Sequence, residues 1–101
     1  MPVDDVDFIT LGSSVTTFAV TENGMQVAGD GGGNTIATIT GGYTGQVLVI
    51  EFQDTNITIT DDNSHASNSV DLNAAFTSAD DTTLMLWYNG TSWYELVRSV
   101  N

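Results

Sequence analysis

The segment DDNSH brings together Asp61, Asp62, Asn63 and His65. These oxygen and nitrogen donors are of the kind that ligate cations or, with a serine alongside, transfer protons. A calcium-binding loop needs alternating carboxylates, a central glycine and a closing bidentate glutamate, and Leu72 stands where that glutamate belongs. What remains is an exposed polar loop, with a loose cation site completed by a neighbouring copy, bridged through Asp61, Asp62, Asp80 and Asp81, as the lesser alternative. A Ser-His-Asp triad draws its members from separate rigid elements and sets an oxyanion hole beside them; a histidine among serines, alanine and asparagine in one polar loop does not match. The glycines of GDGGGN (29–34) suggest a phosphate loop, but no lysine is present and no helix pattern follows. Asn56-Ile57-Thr58 and Asn89-Gly90-Thr91 match the glycosylation sequon, and in the second the Asn-Gly turn already accounts for the residues. The expectation is a protein without catalytic residues, cofactor or metal.

A second constellation is aromatic. LMLWYNGTSWYELVR (84–98) gathers both tryptophans, two tyrosines and the single arginine around one Asn-Gly. Such a hairpin serves either as a platform on which sugars stack or as part of a packed interior. Leu84, Leu86 and Tyr88 alternate with Met85 and Trp87, so both faces of this strand are apolar. Beyond the turn, Trp93, Glu95 and Val97 alternate with Tyr94, Leu96 and Arg98. QVLVIEF (46–52) repeats the theme, with Val47 and Val49 opposing Leu48, Ile50 and Phe52. A strand apolar on both faces expects cover on both sides. The second cover is either another sheet of the same fold or a sister subunit. Val47, Leu48, Val49, Ile50, Phe52, Leu84, Met85, Leu86, Trp87, Trp93 and Leu96 are therefore the candidate core and subunit-interface residues. Gly41, Gly42, Gly45, Asn89 and Gly90 are the candidate turn residues.

The elements that would hold these residues are strands. VTTFAV (15–20), TIATIT (35–40), QVLVIEF (46–52), NITIT (56–60), TLMLWY (83–88) and WYELVR (93–98) carry β-branched and aromatic residues with period two. DFITL (7–11), MQVA (25–28) and SVDL (69–72) are weaker candidates. ENG (22–24) and YNGT (88–91) read as hairpin turns, GDGGGN as a mobile hairpin tip, GGYTG (41–45) as a glycine turn and DDNSHASN (61–68) as a polar loop. NAAFTSADD (73–81) is the single stretch that could be helical and reads as an irregular corner. No repeat of fixed period is visible. The expected fold is all-β: one domain over 1–101, built as a small antiparallel sandwich, barrel or β-prism-like unit.

The totals narrow the function. A chain of 101 residues, 41% of them hydrophobic, supports one modest core, and self-association would supplement it. Thirteen Asp and Glu face one arginine, Arg98, and no lysine, for a net charge of −12. That charge opposes nucleic acid and anionic membranes. Cysteine is absent, which removes disulfides, thiol nucleophiles and cysteine-held metals. The longest aliphatic run is VLVI (47–50), far short of the roughly 20 apolar residues of a spanning helix. MPVDDVDF has neither the basic nor the apolar region of a secretion signal. The protein is expected to act inside the producing cell or to leave it within an assembled particle.

From Thr40 to Arg98 the sequence resembles a module of structural proteins in tailed-bacteriophage particles. GGYTGQVLVIEF, NITITDDN and VDLNAAFTSADDTTLMLWYNGTSWYELVRS carry the likeness. It implies a β-rich, trimeric protein of the virion: a capsid decoration or cement protein, a head fibre or a tail-fibre module. Of these, the short chain fits a decoration protein best. Its partners would be two copies of itself and the major capsid protein, met through the strands of 1–40 and the acidic loops, with 41–101 as the family-like β module. A glycan or host receptor held by Trp87, Trp93, Tyr88, Tyr94 or Tyr43 is the alternative.

Overall fold

In a computed structural model, residues 7–99 are described. They form eleven strands: β1 (Asp7–Thr10), β2 (Thr17–Ala19), β3 (Gly24–Ala28), β4 (Asn34–Ile36), β5 (Thr38–Thr40), β6 (Val47–Phe52), β7 (Ile57–Ile59), β8 (Val70–Asp71), β9 (Phe76–Thr77), β10 (Thr83–Tyr88) and β11 (Trp93–Ser99). No helix occurs among them, so the fold is all-β as the periodicity predicts.

The strands lie in three sheets that share one core. The largest runs β1-β3-β6-β10-β11-β8; a second pairs β2 with β5; a third runs β4-β7-β9. Antiparallel pairing, expected throughout, holds for β6 with β10, β10 with β11 and β7 with β9. The other five pairings are parallel. Up to β7 the chain coils: it leaves the large sheet after β3, passes through β4 and β5, and returns to the large sheet as β6 alongside β3. Each circuit lays its apolar residues on those of the one before, Ile9 beside Val27, Phe18 beside Ile39, Met25 beside Ile50 and Ile36 beside Ile59. The interval between stacked residues differs from sheet to sheet, which is why no fixed repeat is visible in the sequence. From β9 onward the chain reverses and closes the coil with antiparallel strands.

Several local expectations are corrected. TIATIT is two strands, β4 and β5, in different sheets, with Ala37 at the bend donating its N–H to Thr16 O. ENG is a corner, not a hairpin, since β2 and β3 belong to different sheets. GDGGGN is not a mobile hairpin tip but a tied corner. Asn34, buried at its end, donates from Nδ2 to Gly12 O and Val15 O and accepts the Asp30 N–H, while Asp54 accepts the Gly29 N–H. The 73–81 segment contains β9 and no helix, because its one large apolar residue, Phe76, packs on Phe52 with ring centroids 4.9 Å apart.

The turn glycines behave as their spacing suggests. Gly41, Gly45 and Gly90 have positive φ, and Asn89-Gly90 closes the β10–β11 hairpin, with Asn89 Oδ1 accepting the N–H groups of Thr91 and Ser92. Gly42 is required for space: a Cβ there would lie 2.6 Å from Trp93 Cζ2. Strands β3 and β4, from the first forty residues, pair with β6 and β7 inside the common core.

Candidate functional site

The large sheet has two unlike faces. Its inner face contributes Met25, Val27, Leu48, Ile50, Phe52, Leu84, Leu86, Tyr88 and Trp93 to the core. Trp93 is fully buried and spends its one donor on Ile39 O at 2.9 Å, tying the last strand to the second sheet. Its ring packs on Tyr88 with centroids 4.7 Å apart.

The outer face is apolar, and nothing among the described residues covers it. Val47 is 41% exposed, Val49 37%, Trp87 39%, and Leu96 and Val97 53% each. Register explains their contiguity: Val49 lies beside Met85 and Met85 beside Val97, while Val47 lies beside Trp87 and Trp87 beside Tyr94. Cross-strand neighbours of this kind are in side-chain contact distance. Of the sequence candidates, Leu48, Ile50, Phe52, Leu84, Leu86 and Trp93 thus fall in the core. Val47, Val49, Trp87 and Leu96 are on the surface, with Met85 half-buried between them. Among the described residues, the cover expected on the second side is not supplied by another sheet.

One neighbour escaped the alternation rule. A bulge opposite Met85 and Leu86 makes Leu96 an extra residue, so Val97 faces outward beside Met85 instead of inward with Trp93. A bulge leaves no signature in a run such as ELV, so the sequence could not place Val97.

Charge is sparse on this face. Among the described residues, two carboxylates belong to it by register: Glu51, between Gln26 and Thr83, and Asp71, beside Tyr94. Glu51 Oε1 accepts from Gln26 Nε2 at 2.9 Å. The sole arginine is engaged behind the sheet. Arg98 grips Glu95 through Nε and Nη2, both at 2.8 Å, donates to Ala74 O and Ala75 O, and lies over the Phe76 ring. The Arg98 hydrogen bonds, reinforced by the Asn73 N–H, hold the Glu95 carboxyl below the usual carboxylate range. The same pairing raises Arg98.

At one end of the face stands an aromatic corner. Trp87 and Tyr94 have centroids 6.2 Å apart, and Tyr94 and His65 5.9 Å. Tyr94 OH lies 3.0 Å from His65 Nδ1 and accepts from Asn89 Nδ2 at 3.3 Å.

The acidic loop is occupied with its own backbone. Asp62 Oδ1 accepts the Ser64 N–H, and hydrogen bonds from Ser64 lower the Asp62 pKa; Asp61 Oδ1 accepts the Leu72 N–H. Among the described residues no three His, Asp or Glu side chains are gathered as a metal site, and there is no pocket. Nor is any helix long and apolar enough to cross a membrane. Compared with known proteins, the chain matches no family model, and no curated protein is significantly similar to it.

Proposed function

We propose that this chain is a non-enzymatic structural protein of a bacteriophage particle. In this reading it is a capsid decoration (cement) protein that assembles as a homotrimer through the outer face of its large sheet. It works by burying apolar surface and clamping neighbouring subunits of the major capsid protein, with no chemical turnover. It is made in the host cytoplasm and resides in the virion. The observation that carries the reading is the contiguous apolar row of exposed Val47, Val49, Trp87 and Val97 around half-buried Met85, since an apolar patch of this kind on a small domain marks an interaction surface. The number three and the phage setting rest on the resemblance of 40–98.

A copy of the chain fits this face better than a basic partner does. Most carboxylates lie elsewhere, so the face is where one strongly acidic molecule can approach another with least repulsion. Native mass spectrometry at micromolar concentration from concentrated ammonium acetate tests this. A trimer is expected, and a clean monomer overturns it.

The aromatic corner favours a second reading, a fibre tip that binds a glycan. Trp87, Tyr94, His65 and Asn89 offer rings with polar groups beside them, the composition on which sugars stack. A change in tryptophan fluorescence on adding glycans would support it, and silence across a glycan array would retire it.

A further inference from the structure

We infer that association of the copies is gated by ionic strength, with Glu51 as the residue through which the gate acts; this rests on the self-association proposed above. Each chain brings a net charge of −12 to the encounter, and its one arginine is already paired with Glu95. Among the described residues the outer face has no lysine or free arginine to compensate a carboxylate there. Glu51 continues the Val47, Val49 row along β6, and its partner, Gln26, is neutral. In a symmetric assembly the same patch recurs on every copy. Covering the apolar row therefore brings the Glu51 carboxylates of different copies towards one another and strips water from them, with no opposite charge gained. Asp71 repeats the problem at the β8 edge. Dissolved salt relieves this repulsion, because raising ionic strength from about 0.01 M to about 1 M shortens the screening length from about 30 Å to about 3 Å. The apolar contacts survive the same change, since they carry no charge to be screened. Copies thus stay apart in dilute buffer and join in concentrated salt, opposite to the response of an acidic protein docking on a basic partner.

The test is sedimentation equilibrium of the full chain across this range of sodium chloride, with Glu51→Gln, Asp71→Asn and Asp30→Asn in parallel. Glutamine at 51 keeps an acceptor for Gln26, and asparagine at 30 keeps the acceptor that Gly32 N–H uses. For the wild type, the dissociation constant is expected to fall by about tenfold or more as screening sets in. Glu51→Gln should associate about five- to tenfold more tightly than wild type in dilute buffer and converge with it in strong salt, with Asp71→Asn showing a smaller shift of the same kind. Asp30→Asn, a corner carboxylate off the face, should track wild type closely. If salt acted only by strengthening apolar contacts, all four curves would run parallel, and the role of Glu51 would be refuted. An assembly whose dissociation constant is flat or rises with salt overturns the gate alone. A single-chain mass at every ionic strength overturns the self-association beneath it.

Discussion

The two sides of β6 and β10 carry nearly the same chemistry into opposite surroundings. Leu48, Ile50, Leu84 and Leu86 are sealed in the core, while Val47, Val49 and Trp87, one residue along in each strand, stand in solvent. Apolar residues on both faces say that a strand is to be covered twice; they do not say by what. The inner side is answered within the chain, by the second and third sheets. The outer side has no answer among the described residues, and under the proposed function that asymmetry separates folding from assembly. Substitutions inside should unfold the single chain, and substitutions outside should leave it folded and alone.

The largest effect should come from the inner side. Trp93→Ala leaves a cavity and an orphaned Ile39 carbonyl, and is expected to cost about 3–5 kcal/mol in urea denaturation. Trp87→Ala, on the other side of the same hairpin, should leave single-chain stability within about 0.5 kcal/mol. It should nonetheless weaken association by about 2–4 kcal/mol in sedimentation equilibrium, as aromatic anchors at interfaces do. Comparable losses of folding stability from both tryptophans would erase the distinction between the faces. Gly42→Ala pushes a methyl group into Trp93 and should destabilise by about 1–3 kcal/mol with no direct effect on association.

The smallest effect is expected at the clasp behind β11. Arg98→Ala removes the grip on Glu95 and on the 74–75 carbonyls and should cost about 1–2 kcal/mol, solvent screening included. Because the folded Glu95 has a lowered pKa, its contribution is complete above the ordinary carboxylate range and disappears as pH falls through the folded value. Thermal melts of wild type and Arg98→Ala should therefore converge on acidification. A gap between them that persists undiminished in strong acid would show that Arg98 acts through Phe76 and the 74–75 carbonyls instead.

How much of this was legible in the sequence depends on the range of the signal. β6, β10 and the hairpin at Asn89-Gly90 rest on alternation and on a turn that demands positive φ, both local properties, and the structure has them. The coiled, largely parallel course rests on which strand lies beside which. Met25 beside Ile50 and Ile36 beside Ile59 are contacts across whole circuits of unequal length, with no local mark. The tie of Asn34 to Gly12 and Val15 was hidden for the same reason: nothing in GGGN says that its asparagine is buried. The apolar residues of the candidate site were legible as a set. Their division between core and surface was not, because leucine and valine serve both, and a single bulged residue, Leu96, reassigned Val97.

The most direct test is the solution mass of the intact chain by multi-angle light scattering over a range of micromolar concentrations and ionic strengths, beside Trp87→Ala. Expected is a wild-type species with three times the mass of one chain, and a single-chain mass for the folded variant. A wild type that keeps the mass of one chain under every condition would contradict the assignment of the outer face as a contact between copies.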